Sequence, residues 1–453
     1  MKKIFQEDFK VQKKAINHRS KMDSLWLPFT PNRKFKDSPR LVTSAKDMYY
    51  FDESGEKILD AISGLWCVNA GHCRDPIVRA IKEQSEKLDY ATAFNMSHDG
   101  AFLAAEAIQK LAPDGLNKVF FTNSGSEGVD TAMKIALGYH RCRGQGQKHR
   151  FIGREKGYHG VGFGGMSVGG ISHNRRMFSA SLLPSVDHLS HTLNLNLNAF
   201  SQGQPVHGVE LAAELDEIIM FHDSPNIAAV IIEPVSGSAG VIIPPVGYLE
   251  KIKEVCEKHG ILLVFDEVIT GFGRTGKAFA SETFGVKPDM IVFAKGVSNG
   301  TVPMGGVIVS DEIYETFMAG PSNGIEFYHG YTYSGHPLAT ASALSTLKLY
   351  KDEGLFDRSL NLSEYFQEAV HSLKGLPHIE DIRNFGMMCG IQLTADSKQP
   401  GRRAYEVFEK SFDRKVLVRP AGENIALTPP LIAERRHIDQ IVETLDNTIR
   451  ELD

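Results

Sequence analysis

The chain has 453 residues, which is enough for two or three domains at roughly 150 residues each. Hydrophobic residues make up 42% and charged residues 23%, as in average globular proteins, which excludes a disordered, collagen-like or coiled-coil chain. The formal net charge is only −5, so nothing indicates a surface for nucleic acid or anionic membrane. We therefore expect small molecules as partners.

Cysteine usage and hydropathy indicate the compartment. The 5 cysteines are scattered without a CxxC pair, which predicts neither a disulfide framework nor a thiolate metal site, and no metal is expected. The first residues, MKKIFQEDFKVQKK, contain no apolar run of signal-peptide length. The most apolar stretch, residues 226–247, is interrupted by Glu233 and by prolines. We expect a cytoplasmic protein without a membrane segment.

In chain order, residues 42–60 predict a hairpin with its turn at 53–56. Continuous apolar runs rich in β-branched residues then recur through the middle of the chain, as expected for strands covered on both faces in a largely parallel sheet. The predicted strands are 118–122, 150–153, 227–233, 261–267, 290–294 and 306–309. Amphipathic helices such as 248–260, which ends at a glycine, lie between them. The pattern predicts a βαβ layer structure.

The two ends of the chain differ from this middle part. The C-terminal third mixes helices with short strands and closes on an amphipathic helix around residues 438–449. We therefore predict a large domain over residues 75–340 and a smaller domain built from 1–74 and 341–453.

The segment TNSGSEG follows the strand 118–122 and opens a helix. The backbone N–H groups around Ser124, Gly125 and Ser126 then point out of a helix N-terminus at the carboxyl end of a strand, a place that binds phosphate. Ser124 and Glu127 also fit a capping box, which a helix without any ligand uses equally well.

Two further strand ends carry ionisable residues. Asp266 and Glu267 end a buried strand, and we expect both to face the cleft outside the sheet. Lys295 follows four apolar residues at the end of the next strand. A lysine held there is a candidate for a lowered pKa or a Schiff base, although a lone lysine at such a position often extends into solvent.

The glycines of GFGRTG, residues 271–276, match the G-x-G-x-x-G spacing of dinucleotide sites. That site needs a helix opening within the glycines and an acidic residue about 20 positions downstream. Here the acidic pair comes before the glycines. A nicotinamide-dependent oxidoreductase, which needs no Lys295, therefore stays only a remote alternative.

Aromatic residues complete the set. Tyr158 lies in YHG after the strand 150–153, and more aromatics follow in HGYTYSGHP at 329–337. An aromatic at a strand end stacks on a planar ligand or simply packs in the core. Taken together, a helix N-terminus for phosphate, an aromatic ring, a carboxylate and a lysine are the parts that a pyridoxal phosphate site requires.

At these residues the sequence resembles the class III, pyridoxal-phosphate-dependent aminotransferases of fold type I, and among them the ω-amino acid (β-alanine) to pyruvate aminotransferases. The resemblance runs from about Trp26 to the C-terminus. The matching segments are LWLPFT, SGLWCVNAGH, TNSGSE, GYHG, IIEPVSGSAGV, LLVFDEVITGFGRTG, AKGVSNG, HGYTYSGHP and VRPAGENIALTPP. It implies an α/β fold with a mostly parallel seven-stranded sheet in the large domain and a small α+β domain from both termini.

The resemblance implies pyridoxal 5′-phosphate as cofactor and assigns roles to single residues. Lys295 is the Schiff-base lysine, Asp266 pairs with the pyridine nitrogen, and Tyr158 stacks on the ring, with Val268 on its other face; the first three are the expected catalytic residues. Thr332 reaches the phosphate of a neighbouring subunit, which implies a homodimer with shared sites and leaves a tetramer open. The implied cofactor-binding residues are Ser124, Gly125, Ser126, Tyr158, His159, Glu233, Asp266, Val268, Lys295 and Thr332.

The resemblance also implies a substrate pocket lined by Phe29 and Trp66, with Arg419 receiving a carboxylate. Ornithine- and GABA-type relatives shield that arginine with a glutamate, where this chain has Ser238. This favours pyruvate over 2-oxoglutarate as acceptor. The expected reaction moves the amino group of an ω-amino acid such as β-alanine, or of a primary amine, to pyruvate, giving the semialdehyde or ketone and L-alanine.

Other activities share these cofactor residues. A taurine- or diamine-pyruvate aminotransferase, or an aminomutase, differs only in the pocket, and the sequence leaves the physiological donor open. A non-catalytic homologue is expected to lack Lys295 or Asp266, and both are present.

Overall fold

A computed structural model describes residues 22–453. The N-terminal residues 1–21, and with them the lysine-containing start and part of the predicted small domain, lie outside the described residues. The first described sheet begins with β1 (Val42–Lys46), β2 (Tyr49–Asp52) and β3 (Lys57–Asp60), each antiparallel to the next. The predicted turn before residue 57 is confirmed, and a second turn separates β1 from β2, so the stretch contains three strands rather than two.

A mostly parallel sheet of seven strands forms the centre, as the resemblance predicted. The order of its strands is β4-β10-β9-β8-β7-β5-β6, and β10 alone runs antiparallel to its neighbours. Its members are β4 (Leu116–Thr122), β5 (Arg150–Arg154), β6 (Val186–Leu189), β7 (Ile227–Ile232), β8 (Leu262–Asp266), β9 (Met290–Phe293) and β10 (Gly305–Ser310). All six predicted strands are confirmed. The strand that sequence reasoning missed, β6, is a partly exposed edge strand with the short, polar sequence VDHL.

The continuous apolar runs have a direct structural cause. Val230 and Ile232 of β7 belong to one hydrophobic cluster, whereas Ala229 and Ile231 belong to another. Successive side chains of a strand point to opposite faces, so both faces of the sheet are buried. The sheet can therefore hold polar side chains only at the ends of its strands, where the chemistry is expected.

Helices flank the sheets. The helix Tyr248–His259 ends at Gly260, whose φ of +58° supplies the left-handed cap, and the helix Arg435–Arg450 buries its predicted apolar face. The α-helices are Asn32–Asp37, Ser63–Trp66, Asp75–Lys87, Asp99–Gln109, Gly125–Cys142, Phe163–Val168, Ser172–Arg176, Leu195–Asn198, Glu214–His222, Tyr248–His259, Ala280–Phe284, Asp311–Met318, Pro337–Asp352, Leu355–His371, Arg402–Asp413 and Arg435–Arg450. Short 3₁₀ turns occupy Ser179–Ser181, Val209–Ala213, Ser224–Asn226 and Lys295–Ser298. In residues 22–453, no helix is both long and apolar enough to cross a membrane.

The two ends of the chain meet in one sheet. The C-terminal part contains β11 (Ile379–Phe385), β12 (Met388–Leu393), β13 (Val416–Leu417), β14 (Arg419–Ala421) and β15 (Asn424–Leu427). Four of them form a sheet of order β11-β12-β15-β14, whereas β13 pairs in parallel with β3 near the N-terminus. This pairing supports the predicted division into 75–340 and a smaller domain from both termini, which stays a prediction.

Candidate active site

Lys295 and Asp266 stand at the ends of neighbouring parallel strands. Asp266 is the last residue of β8, and Lys295 follows β9 after one alanine. Burial lowers the pKa of Lys295 from 10.5 to about 8, while the nearby charge of Asp266 opposes this shift. The charges of Glu233 and Arg419 also act on the Lys295 amine, so four sequence-predicted residues share one neighbourhood.

The carboxylate of Asp266 has two partners. Its Oδ2 lies 2.8 Å from Nδ1 of His159, and its Oδ1 accepts a hydrogen bond of 3.1 Å from the backbone N–H of Val268. Asp266 and His159 are both almost fully buried. The second ring nitrogen of His159 is buried and has no partner in the described part of the chain. The geometry holds Asp266 in one orientation at the mouth of the sheet.

Glu233 follows β7 and fastens the loop that carries Tyr158. Its Oε1 accepts the N–H of Tyr158 at 2.9 Å, and its Oε2 accepts the N–H of Gly237 at 3.0 Å. Burial raises the pKa of Glu233 to about 7, and the charge of Asp266 adds to this rise. The Glu233 carboxylate therefore connects the loop after β5 with the turn after β7.

Arg154 binds the backbone of Glu233, and the sequence analysis did not single it out. It ends β5 and is almost fully buried. Its guanidinium donates to the backbone oxygen of Glu233 at 2.7 Å and to Oγ of Ser236 at 2.8 Å. The only signal in the sequence is a charged residue at the end of an apolar strand.

The helix Gly125–Cys142 opens directly after β4. Ser124 caps it by accepting the N–H of Glu127 at 3.2 Å, whereas the Glu127 carboxylate accepts the N–H of Asn123 at 2.7 Å. The predicted contact from Ser124 is thus present. The Glu127 carboxylate binds the N–H of Asn123, one residue before the Ser124 N–H that a capping box uses. The first N–H groups of the helix, at Gly125 and Ser126, have no acceptor within the helix and stay available for a ligand.

Two glycines keep the space at this helix end. A Cβ at Gly160, whose φ is +92°, would lie 2.4 Å from Oγ of Ser126. A Cβ at Gly125 would lie 2.8 Å from a methyl group of Val268. The loop after Tyr158 and the loop after β8 therefore both pack closely against the helix N-terminus. A phosphate at the helix end, a ring nitrogen at Asp266 and a carbonyl carbon at Lys295 fit this donor set, so the residues present suit pyridoxal 5′-phosphate.

The predicted substrate residues differ in their burial. Arg419 begins β14, is half-buried, and lies close enough to Tyr158 for each to affect the pKa of the other. Ser238 is half-buried in the turn after β7. Trp66, in contrast, is 2% exposed and packs within a hydrophobic cluster, and Phe29 is 74% exposed.

Thr332 is exposed in the single chain. Its backbone oxygen accepts a hydrogen bond of 3.0 Å from the hydroxyl of Tyr90, which fixes the loop. The expected contact of Thr332 with a neighbouring subunit stays a prediction.

The expectation that Glu267 faces the cleft is wrong. Glu267 is fully buried and accepts hydrogen bonds from the N–H groups of Ala280 and Ser281 and from the hydroxyl of Thr270. The N–H groups at the start of the helix Ala280–Phe284 need an acceptor, and the carboxylate supplies it. Glu267 is a helix cap and is separate from the site.

The glycine-rich segment 271–276 holds no dinucleotide-type helix. Gly273, with φ of +99°, leaves 2.5 Å between a hypothetical Cβ and the side chain of Leu431, so close packing explains it. Arg274 within this segment is fully buried. Its guanidinium donates to Oδ1 of Asn69 and to the backbone oxygen of Pro429, both at 2.7 Å. Nothing in the sequence shows that this charge lies in the core.

Comparison with known proteins agrees with this geometry. Residues 31–449 match the family described as aminotransferase class-III. The chain is 54% identical over 432 residues to an omega-aminotransferase of Caulobacter vibrioides, covering 95% of this chain and 98% of that protein. It is 45% identical to a beta-alanine–pyruvate aminotransferase of Pseudomonas aeruginosa, covering 94% of this chain and 95% of that protein.

A solved structure has the same fold. The omega transaminase from Pseudomonas jessenii in complex with PMP superposes with a TM-score of 0.89 at 30% identity, covering 96% of this chain and 97% of that chain. The site geometry, the family match and these relatives lead to one conclusion. The chain belongs to the class III aminotransferases, pyridoxal 5′-phosphate-dependent enzymes of fold type I, as the sequence resemblance predicted.

Proposed function

We propose that this aminotransferase moves the amino group of an ω-amino acid such as β-alanine, or of a primary amine, to pyruvate, giving the semialdehyde or ketone and L-alanine. The observation that carries this proposal is the state of Arg419. Among residues 22–453 its guanidinium has no ion-pair partner, and burial lowers its pKa. A half-buried guanidinium without a counter-ion favours a substrate carboxylate, which it binds with two hydrogen bonds. At the position where ornithine- and GABA-type relatives are expected to carry a shielding glutamate, this chain has the uncharged Ser238.

The names of the relatives support the same choice. The relatives from Pseudomonas aeruginosa and Pseudomonas putida are a beta-alanine–pyruvate and an omega-amino acid–pyruvate aminotransferase. A more distant relative at 36% identity is a putrescine–pyruvate aminotransferase, so pyruvate recurs while the donor varies.

When bound, pyridoxal 5′-phosphate supplies an electron-withdrawing ring that stabilises negative charge on the reacting carbon. Lys295 provides the amine that binds the cofactor carbonyl carbon. Because its pKa is about 8, a useful fraction of its Nζ is unprotonated near neutral pH. Freed by the incoming amine, Nζ would accept the proton from the substrate carbon that bears nitrogen and deliver it to the former carbonyl carbon of the cofactor, so that the amino group stays with the cofactor.

The other residues hold the cofactor in place. Asp266 keeps the proton on the ring nitrogen, and His159 orients Asp266 through their 2.8 Å contact. The N–H groups of Gly125 and Ser126 bind the phosphate. Tyr158 and Val268 cover the ring.

A second copy of the chain completes the site in this proposal. Phe29 and Thr332, both expected near substrate or cofactor, are exposed in the single chain. Large apolar side chains are exposed beside them: Leu25, Trp26, Tyr328 and Tyr333. Exposed apolar surface of this kind is typical of a subunit interface. We therefore propose a homodimer with shared active sites. The scattered cysteines without a CxxC pair favour a reducing compartment, so we also propose that the enzyme is cytoplasmic.

A panel of amine donors tests the activity. The purified enzyme is offered β-alanine, a diamine, taurine and an arylalkylamine with either pyruvate or 2-oxoglutarate, and alanine or glutamate is quantified. We expect alanine to form from β-alanine and the arylalkylamine, and little glutamate. Glutamate as the main product contradicts pyruvate as the acceptor, and a visible absorption band that borohydride does not bleach contradicts the role of Lys295.

A further inference from the structure

The backbone of Lys295 adopts a conformation that lysine rarely takes. Its φ is +48°, in the left-handed region that favours glycine. Such a residue stays in place only when its surroundings hold it there, and these positions cluster at functional sites. The residue that follows, Gly296, is held by contacts with Tyr350 and Asn69.

Tyr350 binds the Gly296–Val297 peptide, the second peptide after the α-carbon of Lys295. Its hydroxyl donates a 2.6 Å hydrogen bond to the backbone oxygen of Gly296, which also accepts the N–H of Asn299 at 3.2 Å. Tyr350 lies on the helix Pro337–Asp352, almost fully buried, with its ring packed against those of Phe272 and Phe356. Burial raises the pKa of its hydroxyl, so the group stays a donor.

Asn69 packs closely against Gly296. A Cβ at Gly296 would lie 2.7 Å from Nδ2 of Asn69, so the two groups are in close contact. Asn69 is itself fixed at both ends, because its Nδ2 donates to the backbone oxygen of Phe272 at 2.8 Å and its Oδ1 accepts from Arg274 at 2.7 Å.

Arg274 fixes Asn69 and the backbone at 428–429, although its burial is unfavourable. Its side chain is fully buried, its Nε has no hydrogen-bond partner, and no carboxylate in residues 22–453 forms an ion pair with it. Burying a cation without a counter-charge costs stability, and burial lowers the pKa of Arg274 to about 10. An apolar side chain of similar size is often at least as stable in such a place, so the charge is explained by the positions that it fixes, which are Asn69 and the backbone at 428–429.

We propose that Tyr350, Asn69 and Arg274 form a lysine clamp that holds Lys295 in its left-handed conformation, aimed at the cofactor. These are positioning residues, since they act on Lys295 through the Gly296 peptide. The proposal rests on the assignment of Lys295 as the residue that bonds the cofactor. Without the clamp, the peptide relaxes, and forming the bond to Lys295 has to restore the strained geometry.

Two ligands separate this role from a general effect on folding. Pyridoxal 5′-phosphate bonds to Lys295, whereas pyridoxamine 5′-phosphate fills the same site without that bond. For Tyr350→Phe we expect the Kd of pyridoxal 5′-phosphate to rise by about tenfold, the scale for losing one buried hydrogen bond, with the Kd of pyridoxamine 5′-phosphate unchanged. Both values come from titration of the dialysed enzyme, and a Tm confirms folding.

Matched variants serve as controls. Tyr139→Phe removes another hydroxyl that makes a 2.6 Å hydrogen bond, to Glu312, outside the clamp, and should alter neither Kd. In a Lys295→Ala background, Tyr350→Phe should also change neither Kd, because no bond to the lysine is left to lose. Arg274→Met removes the contact to Asn69 together with those to the backbone at 428–429, and it should reproduce the selective loss of pyridoxal 5′-phosphate affinity.

An equal loss of affinity for both ligands, or unchanged affinity for pyridoxal 5′-phosphate in Tyr350→Phe, overturns the clamp. A selective loss in Tyr350→Phe but not in Arg274→Met removes Arg274 and Asn69 from it. Failure of the unmodified enzyme to bind either ligand refutes the proposed cofactor site instead, so the two failures are distinguishable.

Discussion

Nδ1 of His159 lies 2.8 Å from Oδ2 of Asp266, and both side chains are almost fully buried at the mouth of the central sheet. An ionised carboxylate only accepts hydrogen bonds, so the imidazole donates through Nδ1. The contact joins the loop after β5 to the end of β8. Asp266 is therefore held rigidly before any cofactor arrives, as a preorganised charge must be.

Asp266→Asn should slow turnover severely while the cofactor still binds. An amide does not hold the proton on the ring nitrogen as a carboxylate does, and losing a preorganised electrostatic group costs roughly 10²- to 10³-fold in kcat. Steady-state kinetics with β-alanine and pyruvate measure the loss, and the visible spectrum reports cofactor content.

The neighbouring carboxylate provides the control. Glu267→Gln removes an equally buried charge that caps the helix Ala280–Phe284. We expect it to lower the Tm, by the amount that losing a helix cap or a buried hydrogen bond costs, and to leave the kcat of folded enzyme near the unmodified value. Near-native rates in Asp266→Asn mean that another residue serves the ring nitrogen.

Lys295→Ala should abolish turnover and leave the fold intact. The phosphate and ring contacts need no lysine, whereas binding the cofactor carbonyl and moving the proton do. Activity and circular dichroism are compared with Lys287→Ala, an exposed lysine away from the site, which should behave like the unmodified enzyme. Substantial remaining turnover in Lys295→Ala, without added amine, contradicts the assignment.

The sequence predicted most of the fold because burial on both faces leaves a readable pattern. Runs such as IAAVIIE at β7 are apolar throughout since each face of the strand meets its own hydrophobic cluster. The edge strand β6 is only partly buried, and its short polar sequence contains no apolar run from which a strand could be predicted.

Side-chain direction was harder to predict than strand position. Asp266 and Glu267 are adjacent, so they point to opposite sides, and only one of them reaches the site. Which one does so depends on the helix Ala280–Phe284, whose N–H groups bind Glu267. The burial of Arg274 left no pattern in the sequence, because its partners, Asn69 and Pro429, are distant along the chain.

The pKa of Lys295 sets a pH dependence for cofactor binding. The pKa is lowered from 10.5 to about 8, so the amine is mostly protonated below about pH 8 and mostly unprotonated above it, and only the unprotonated form reacts. The rate at which pyridoxal 5′-phosphate binds the dialysed enzyme should therefore rise with pH, with a midpoint near 8, and then level off. Stopped-flow absorbance measures this rate.

Pyridoxamine 5′-phosphate gives the control for the pH profile. It makes no bond to Lys295, so its association rate should lack the rise near pH 8. A midpoint near 10.5, the ordinary value for lysine, contradicts burial of the amine.

The last prediction concerns the specificity of Arg419. Arg419→Ala should raise the KM for pyruvate and alanine by the equivalent of roughly 2–5 kcal/mol, the scale for removing one partner of a buried charge pair. An arylalkylamine carries no carboxylate, so its half-reaction should lose far less. Stopped-flow spectra of the bound cofactor follow the two half-reactions separately.

Arg419→Lys tests whether charge alone suffices. An ammonium keeps the charge but not the planar fork that binds a carboxylate with two hydrogen bonds, so most of the loss should persist. Tyr158 lies beside Arg419, and its cofactor contacts should survive both changes, which an unaltered visible spectrum checks. If both half-reactions slow equally, or neither slows, Arg419 is not the selective carboxylate receptor. The preference for pyruvate then needs another structural cause.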